Sequence, residues 1–468
     1  MSEHRILLRG GQILSLDPDT PPAGDILIEG DKIVAVGADL LISDAEVIDV
    51  SGHIVMPGMI DTHRHTWQTQ MRAICGDWTL TDYFYGIRLG VSPAYTADDV
   101  SLGNRLGAVE ALNAGVTTLL DFSHCMNTPD HADAAVDGLR AAGGRAVFGY
   151  GFFNSSPLAP QHFTEHHQRI SDFNRIADAY FSSPGGLITL GASLNEYGFV
   201  PFSHTRDEIT AAREHDALIV AHLGVVWSMQ SGFTEMADSG LFGPDQVQVH
   251  CNTLTDNEFR LLADSGVKVS ISPETELNMG MGRPVFTQCE RHGIKPTLSC
   301  DVMSLNSGDL ITQMRLGLGF KRWADTEPLN LAGEDPSKVS ATTTQALEWC
   351  TINSADAIGM ADTLGTISVG KQADLVVVGG PALRQHPIIH PAATVVFQTE
   401  PDDIVHVFVA GHAVKRDGQM VGVDIAELSR QAERSAEQIL GRVAAELPGT
   451  PPDAAALVNA MVDYNLRS

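Results

Sequence analysis

Eight short apolar runs, rich in Val, Ile, Leu and Ala, punctuate the chain between residues 54 and 299. They fall at 54–60, 116–122, 146–152, 188–193, 218–221, 247–249, 267–272 and 296–299. Helical patterns separate most of them, for example at 97–114, 130–142 and 256–265, and each of these three is followed by glycine, a usual helix stop. Parallel strands need crossover helices, and eight strand–helix units close most readily into a ring. The expected class is therefore α/β, with a (β/α)8 barrel of the TIM type.

The two ends of the chain read differently from this middle. Residues 4–56 alternate apolar and polar side chains in short segments cut by glycine, and the same texture returns at 373–378 and 404–411. Both ends are expected to build one small β-sandwich domain. The chain then divides into 1–56 (first part of the sandwich), 57–364 (barrel), 365–424 (second part of the sandwich) and 425–468 (helical extension). At 468 residues it exceeds the usual size of one compact domain, and 43% hydrophobic residues supply a large core. The amphipathic stretch 425–447 is of the kind that packs on a neighbour, so a homodimer or higher homo-oligomer is expected.

Charge narrows the partners. Against 58 acidic residues stand only 30 Lys and Arg, a net charge of −28. Such a surface repels phosphate backbones and anionic lipid, which argues against nucleic acid and membrane partners and leaves a small molecule as the ligand. No apolar run is long enough to cross a bilayer, and Met1-Ser2-Glu3-His4-Arg5 has no signal-peptide pattern. The six cysteines (75, 125, 251, 289, 300, 350) include no Cys-x-x-Cys and read as reduced, mostly buried thiols of a cytoplasmic protein.

Catalytic groups of such barrels stand at the C-terminal ends of the strands. The first run leads into His63-Arg64-His65, and residues i and i+2 of a strand face the same side, so both imidazoles can aim at one point. The fifth run ends in His222, the sixth in His250 and the eighth in Asp301. Imidazoles and a carboxylate converging at a barrel mouth suit one divalent metal, zinc first, with iron, cobalt or manganese as alternatives.

At these residues the chain resembles the amidohydrolase superfamily over nearly its whole length. The resemblance is carried by Pro57-Gly58-Met59-Ile60-Asp61-Thr62-His63-Arg64-His65, by Ala114-Gly115-Val116-Thr117-Thr118, and by Ala221-His222, Val249-His250-Cys251 and Ser299-Cys300-Asp301. A late segment, Gly365-Thr366-Ile367-Ser368-Val369-Gly370-Lys371-Gln372-Ala373-Asp374-Leu375-Val376, resembles the family's return into its β domain. The resemblance implies that His63, His65, His222 and Asp301 bind the metal. It implies that Asp301 also moves the proton of an activated water, and that His250 polarises the substrate.

Within that superfamily the cytosine deaminase and triazine hydrolase group is similar. The start Asp61-Thr62-His63-Arg64-His65-Thr66-Trp67, the turn Ser272-Pro273-Glu274-Thr275-Glu276 and Asp121-Phe122-Ser123-His124 look like the molinate and phenylurea hydrolase branch, although that branch has Asn where this chain keeps His63. Binuclear relatives bridge two metals with a carbamylated lysine, and this chain has no lysine between Lys32 and Lys268, so one metal per subunit is expected. Deaminases and triazine hydrolases usually place Glu three residues after the fifth-strand histidine; here that residue is Val225. Glu274 or Glu276 is a candidate for the missing acid, His124 another, and Asn195 and Glu196 weaker ones.

Substrate-contact candidates follow the first strand: Trp67, Gln68, Met71, Arg72, Trp78, Tyr83, Phe84 and Tyr85, joined by Met279, Met281 and Met303. They suggest a small, largely apolar or aromatic substrate. The expected activity is hydrolysis of a non-peptide C–N bond in an amide, urea or carbamate, with deamination of an aminated heterocycle as the alternative.

Overall fold

The computed structural model describes residues 4–153, 161–183, 185–227, 231–380 and 383–446. Five strands come from the first end: β1 (Arg5–Ile13), β2 (Ala23–Glu29), β3 (Lys32–Gly37), β4 (Glu46–Asp49) and β5 (Ile54–Pro57). The barrel strands are β6 (Met59–Arg64), β7 (Val116–Ser123), β8 (Arg145–Gly151), β9 (Ile188–Ser193), β10 (Leu218–Leu223), β11 (Gln246–His250), β12 (Lys268–Ile271) and β13 (Pro296–Leu298). Four more return to the first sheet: β14 (Leu375–Val378), β15 (Ile404–Val409), β16 (His412–Arg416) and β17 (Gln419–Met420).

The two chain ends share one bent, mixed nine-stranded sheet in the order β17-β16-β15-β14-β5-β1-β2-β3, with β4 added to β1. Its bend is visible in β1, whose first half pairs with β4 and whose end pairs with β5. The curved sheet wraps a core of its own, including Ile6, Leu8, Ile26, Ile33, Ile367 and Phe408. Glycine earns its place in the late motif, where Gly365 and Gly370 take φ of 88° and 93°.

The apolar run at 54–60 is not one strand. It divides at Gly58: β5 pairs antiparallel with β14 in the end sheet, and β6 opens the barrel. A Cβ on Gly58 would lie 2.1 Å from Thr117 Oγ1, so only glycine lets the chain pass this closely from one sheet to the other. Apolar periodicity carries no trace of such a change of partner, because both halves are buried.

From β6 to β13 the eight strands pair in parallel, in sequence order. Every residue of β7 is buried, as expected of a sheet covered by side chains inside and helices outside. The helices Ala97–Asn113, Pro129–Ala142 and Asp256–Asp264 match the sequence pattern; Thr96 and Thr255 start the first and third with capping boxes to Asp99 and Glu258. The ring closes at Arg64 and Asp301: Asp301 N–H donates to the His63 carbonyl at 2.9 Å, and His65 N–H donates to the Asp301 carbonyl at 3.0 Å.

The helix Ile425–Glu446 packs back on the barrel of its own chain. Ser435 Oγ donates to Asp99 Oδ1 at 2.6 Å, and Arg442 Nε to the Ala94 carbonyl at 2.6 Å. The rest of the expected extension, 447–468, lies outside the described residues. All six cysteines are buried and free. Among the described residues no helix is long and apolar enough to cross a membrane.

One buried carboxyl makes stability depend on pH. Glu208, on the helix Phe202–Glu214, is fully buried and accepts from Asn195 N at 3.1 Å and Asn195 Nδ2 at 2.6 Å. Burial lifts its pKa from the ordinary 4.5 to about 8, against the pull of those hydrogen bonds. Between these values the folded chain keeps a proton that the unfolded chain releases, so the contribution falls as pH rises from 4.5 to about 8. Thermal melts of wild type should lose ground across that window relative to Glu208→Gln, which keeps a neutral side chain throughout. Parallel pH profiles for the two proteins would contradict this assignment.

Candidate metal centre

The closing pair of the barrel also builds its site. Asp301 lies three residues beyond β13, and its carboxylate reaches the ends of β6: Oδ1 is 3.0 Å from His63 Nε2 and 3.2 Å from His65 Nε2. The pairing of β6 with β7 slips by one residue between Asp61 and Arg64, a bulge immediately beside the two histidines. His222, in β10, brings its Nε2 to 3.3 Å from His63 Nε2. One donor atom from each of His63, His65, His222 and Asp301 lies within 4.8 Å of the others. All four residues are at least nine-tenths buried.

The hydrogen-bond pattern tests whether a cation belongs there. His65 Nδ1–H donates to the Phe122 carbonyl at 3.0 Å, which turns Nε2 toward Asp301 Oδ1, 3.2 Å away. His222 Nδ1 faces Glu196 Oε1 at 3.4 Å, which leaves its Nε2 lone pair turned toward His63. Burial depresses the His222 pKa to about 4 and that of His63 well below its ordinary value. Three ring nitrogens and a carboxylate oxygen therefore converge in a dry site, a donor set that suits a divalent cation. Asp301 Oδ2 is buried and has no hydrogen-bond partner.

Beyond this cluster, His250 ends β11 with Nε2 3.7 Å from Asp301 Oδ2. Its Nδ1 donates to Glu276 Oε1 at 3.0 Å, and the same oxygen accepts from Ser272 N–H at 2.9 Å. Burial opposes charge on His250, but Glu276 and Asp301 outweigh it and raise its pKa. His250, Cys251 and Asp301 hold φ of 74°, 58° and 57°, a left-handed backbone costly for non-glycine residues and concentrated here at the strand ends.

A cavity of about 340 Å³ opens over these groups. Its polar wall holds His65, Arg88, His124, Glu196, His222, His250 and Asp301; its apolar wall holds Leu80, Tyr83, Phe84, Val225, Met281 and Val302. His124 stacks on His65 with ring centroids 4.1 Å apart and faces Arg88 Nη1 at 2.9 Å through Nε2. Burial and then the Arg88 charge keep His124 neutral.

Several candidates sit elsewhere. Ser272 and Pro273 start the helix Pro273–Asn278, which puts residues two apart on opposite faces. Glu276 turns inward to His250, whereas Glu274 turns away and accepts from Ser307 Oγ at 3.2 Å and Gln313 Nε2 at 2.7 Å, outside the cavity wall. Trp67 is fully buried against Tyr95 and does not line the cavity. Gln68 stands one layer behind, donating to Tyr83 Oη at 2.8 Å and accepting from Ser304 Oγ at 2.9 Å. Met303 is buried in the core rather than in the cavity wall. Asn195 serves Glu208, while Glu196, a weak candidate from sequence, lies at the heart of the polar wall.

Arg88 had no sequence signal. It rides on the segment Phe84–Val91, wound as a π-helix, a form rare in proteins and frequent at functional sites. Its guanidinium reaches Glu196 Oε1 at 3.3 Å and lies 4.6 Å from the centre of the Phe153 ring. Burial alone would raise the Glu196 pKa, but Arg88 and His222 hold it down at about 2.

Known proteins share this architecture. The chain is 25% identical to a 5'-deoxyadenosine deaminase of Methanosarcina mazei, over 94% of this chain and 99% of that one. It is 27% identical to a 5-methylthioadenosine/S-adenosylhomocysteine deaminase of Syntrophobacter fumaroxidans, over 93% and 98%. Among solved structures, a zinc-bound adenosine deaminase from Xanthomonas campestris superposes with a TM-score of 0.81 at 20% identity, over 94% of this chain and 99% of that one. A zinc complex of the atrazine chlorohydrolase TrzN from Arthrobacter aurescens TC1 gives 0.79 at 21%, over 92% and 100%. These two likenesses establish the fold. The amidohydrolase family profile matches residues 54–414, a span that holds the whole barrel and every group at its mouth, and the chain belongs to that family.

Proposed function

We propose that the chain is a mononuclear metal-dependent hydrolase that cleaves a non-peptide C–N bond of a small, largely apolar or aromatic substrate. The observation that carries this reading is the buried convergence of His63, His65, His222 and Asp301 beneath the cavity. Those four residues would hold the ion, and zinc is favoured by the donor set and by the zinc-bound solved relatives. The absence of lysine from 33 to 267 supports one ion per chain. Free, buried cysteines and the acidic surface support a cytoplasmic location; a homo-oligomer rests on the amphipathic sequence alone, because the helix Ile425–Glu446 packs on its own barrel.

When bound, such an ion supplies a Lewis acid that makes a water acidic enough to lose a proton near neutral pH. Asp301 Oδ2, buried and without a hydrogen-bond partner, accepts that proton and returns it to the leaving nitrogen. His250, flanked by Glu276 and Asp301, donates from Nε2 to the oxygen on which charge develops. Glu276 is the positioning residue for His250, and Glu196 for His222; such partners fix the tautomer and aim of the ring. Gln68 holds Tyr83 in the cavity wall from behind.

Val225 lines the cavity where an acid would protonate a ring nitrogen, which favours amide, urea or carbamate hydrolysis. A second reading, deamination of an aminated heterocycle, is favoured by the nucleoside deaminases among the relatives. Purified, metal-loaded protein screened against ureas, carbamates, amides and aminopurines separates them. Amine release without ammonia supports the first reading. Ammonia release from an aminopurine or its nucleoside would replace it with the second.

Metal analysis tests the ligand set. His63→Ala and Asp301→Asn should retain well under one ion per chain while wild type retains about one. Glu196→Gln should keep the ligands but bind the ion about 10- to 100-fold more weakly in competition with a chelator. Full metal content in His63→Ala would refute the assignment.

A further inference from the structure

Among the described residues that line the cavity, Arg88 is the one arginine or lysine. Arg88 is 5% exposed and donates only from Nη1 to the protein, toward His124 Nε2 at 2.9 Å and Glu196 Oε1 at 3.3 Å. Its Nε and Nη2 meet no acceptor among the described residues, although a guanidinium carries donors along every edge. Phe84 and Phe153 flank the group, with its central carbon 5.9 Å and 4.6 Å from their ring centres, and they fix its plane without satisfying its N–H groups. A permanently charged group in the cavity wall with its Nε and Nη2 fork unused is open to a ligand. The facing wall, including Leu80, Met281 and Val302, offers nothing to complete it.

We propose that Arg88 is the specificity residue of the cavity and that the substrate carries a carboxylate, held by the Nε and Nη2 edge while the scissile bond lies over His250 and Asp301. The planar, two-oxygen form of a carboxylate matches that edge, whereas a lone carbonyl uses half of it. Glu196 leaves the edge open because its Oε1 is shared between Arg88 Nη1 and His222 Nδ1. The remaining apolar wall then takes the body of an aromatic or aliphatic acid derivative. This rests on the barrel mouth being the substrate site of a hydrolase.

Calorimetric titration of metal-loaded protein with benzoate, benzamide and benzylamine tests it. Wild type should bind benzoate about tenfold or more tighter than benzamide, and benzylamine more weakly still. Arg88→Met should lose that preference. The Arg88→Met, Glu196→Gln double variant, which removes both charges, should remain as weak. Arg88→Lys, which keeps the charge without the fork, should fall between. Equal binding of benzoate and benzamide by wild type, or no binding of either, would overturn the proposal. So would unchanged benzoate affinity in Arg88→Met, which would put the carboxylate on the ion, and so would recovery in the double variant. Metal content measured on each sample keeps the two ideas apart: wild type without metal refutes the hydrolase, while intact metal with no benzoate preference refutes only the role of Arg88.

Discussion

The backbone pair between Asp301 and the end of β6 is the constraint on which the rest depends. Two hydrogen bonds, to the His63 carbonyl and from the His65 N–H, close the ring of strands and in the same stroke seat a carboxylate on two imidazoles. Asp301 adopts a left-handed backbone to do this. Fold closure and site assembly are therefore one event in this chain. Beneath the site, β6, β12 and β13 and the residues that follow the last two meet through hydroxyls: Thr62 Oγ1 meets Ser270 Oγ and Thr297 Oγ1 at 2.7 Å each, and Ser299 Oγ joins Ser270 and Ser272. Such a network satisfies its own members and gives the loaded site a stiff floor.

Electrostatics organise the layer around it. Each outer histidine has its remaining nitrogen assigned by an acceptor: Phe122 for His65, Glu196 for His222 and Glu276 for His250. For His65 and His222 this aims Nε2 into the cluster, whereas His250, whose pKa Glu276 and Asp301 raise, keeps its Nε2 as a donor toward Asp301, in a chain whose surface is strongly acidic. Arg64 acts outside the ring, fully buried, donating from Nε to Asp61 at 2.9 Å and from Nη2 to the Gly308 carbonyl at 2.7 Å. It holds the strand that bears both histidines.

Much of this was legible in the sequence, and the reasons are local. Apolar strands ending in His63, His65, His222, His250 and Asp301 give position and chemistry together, because a strand's register points its last residues at the mouth. The end sheet was legible from its alternation, but its junction with the barrel was not, since Gly58 changes the strand's partners without changing its hydrophobicity. Glu274 and Glu276 could not be told apart until the turn proved helical, which sends one inward and one out. Aromatic residues after the first strand carried no direction: Trp67 fills core, while Tyr83 and Phe84 face the cavity. Arg88 escaped notice because its segment winds as a π-helix, which breaks the usual helical spacing.

The central claim is a single ion held by three imidazoles and one carboxylate at the barrel mouth. X-ray absorption at the metal edge, with elemental analysis of the same purified holoprotein, tests it most directly. The account predicts about one ion per chain, with about three imidazole nitrogens at ~2.0–2.1 Å and oxygen completing the shell. A second ion ~3.5–4 Å from the first, or a shell containing sulfur, would contradict it.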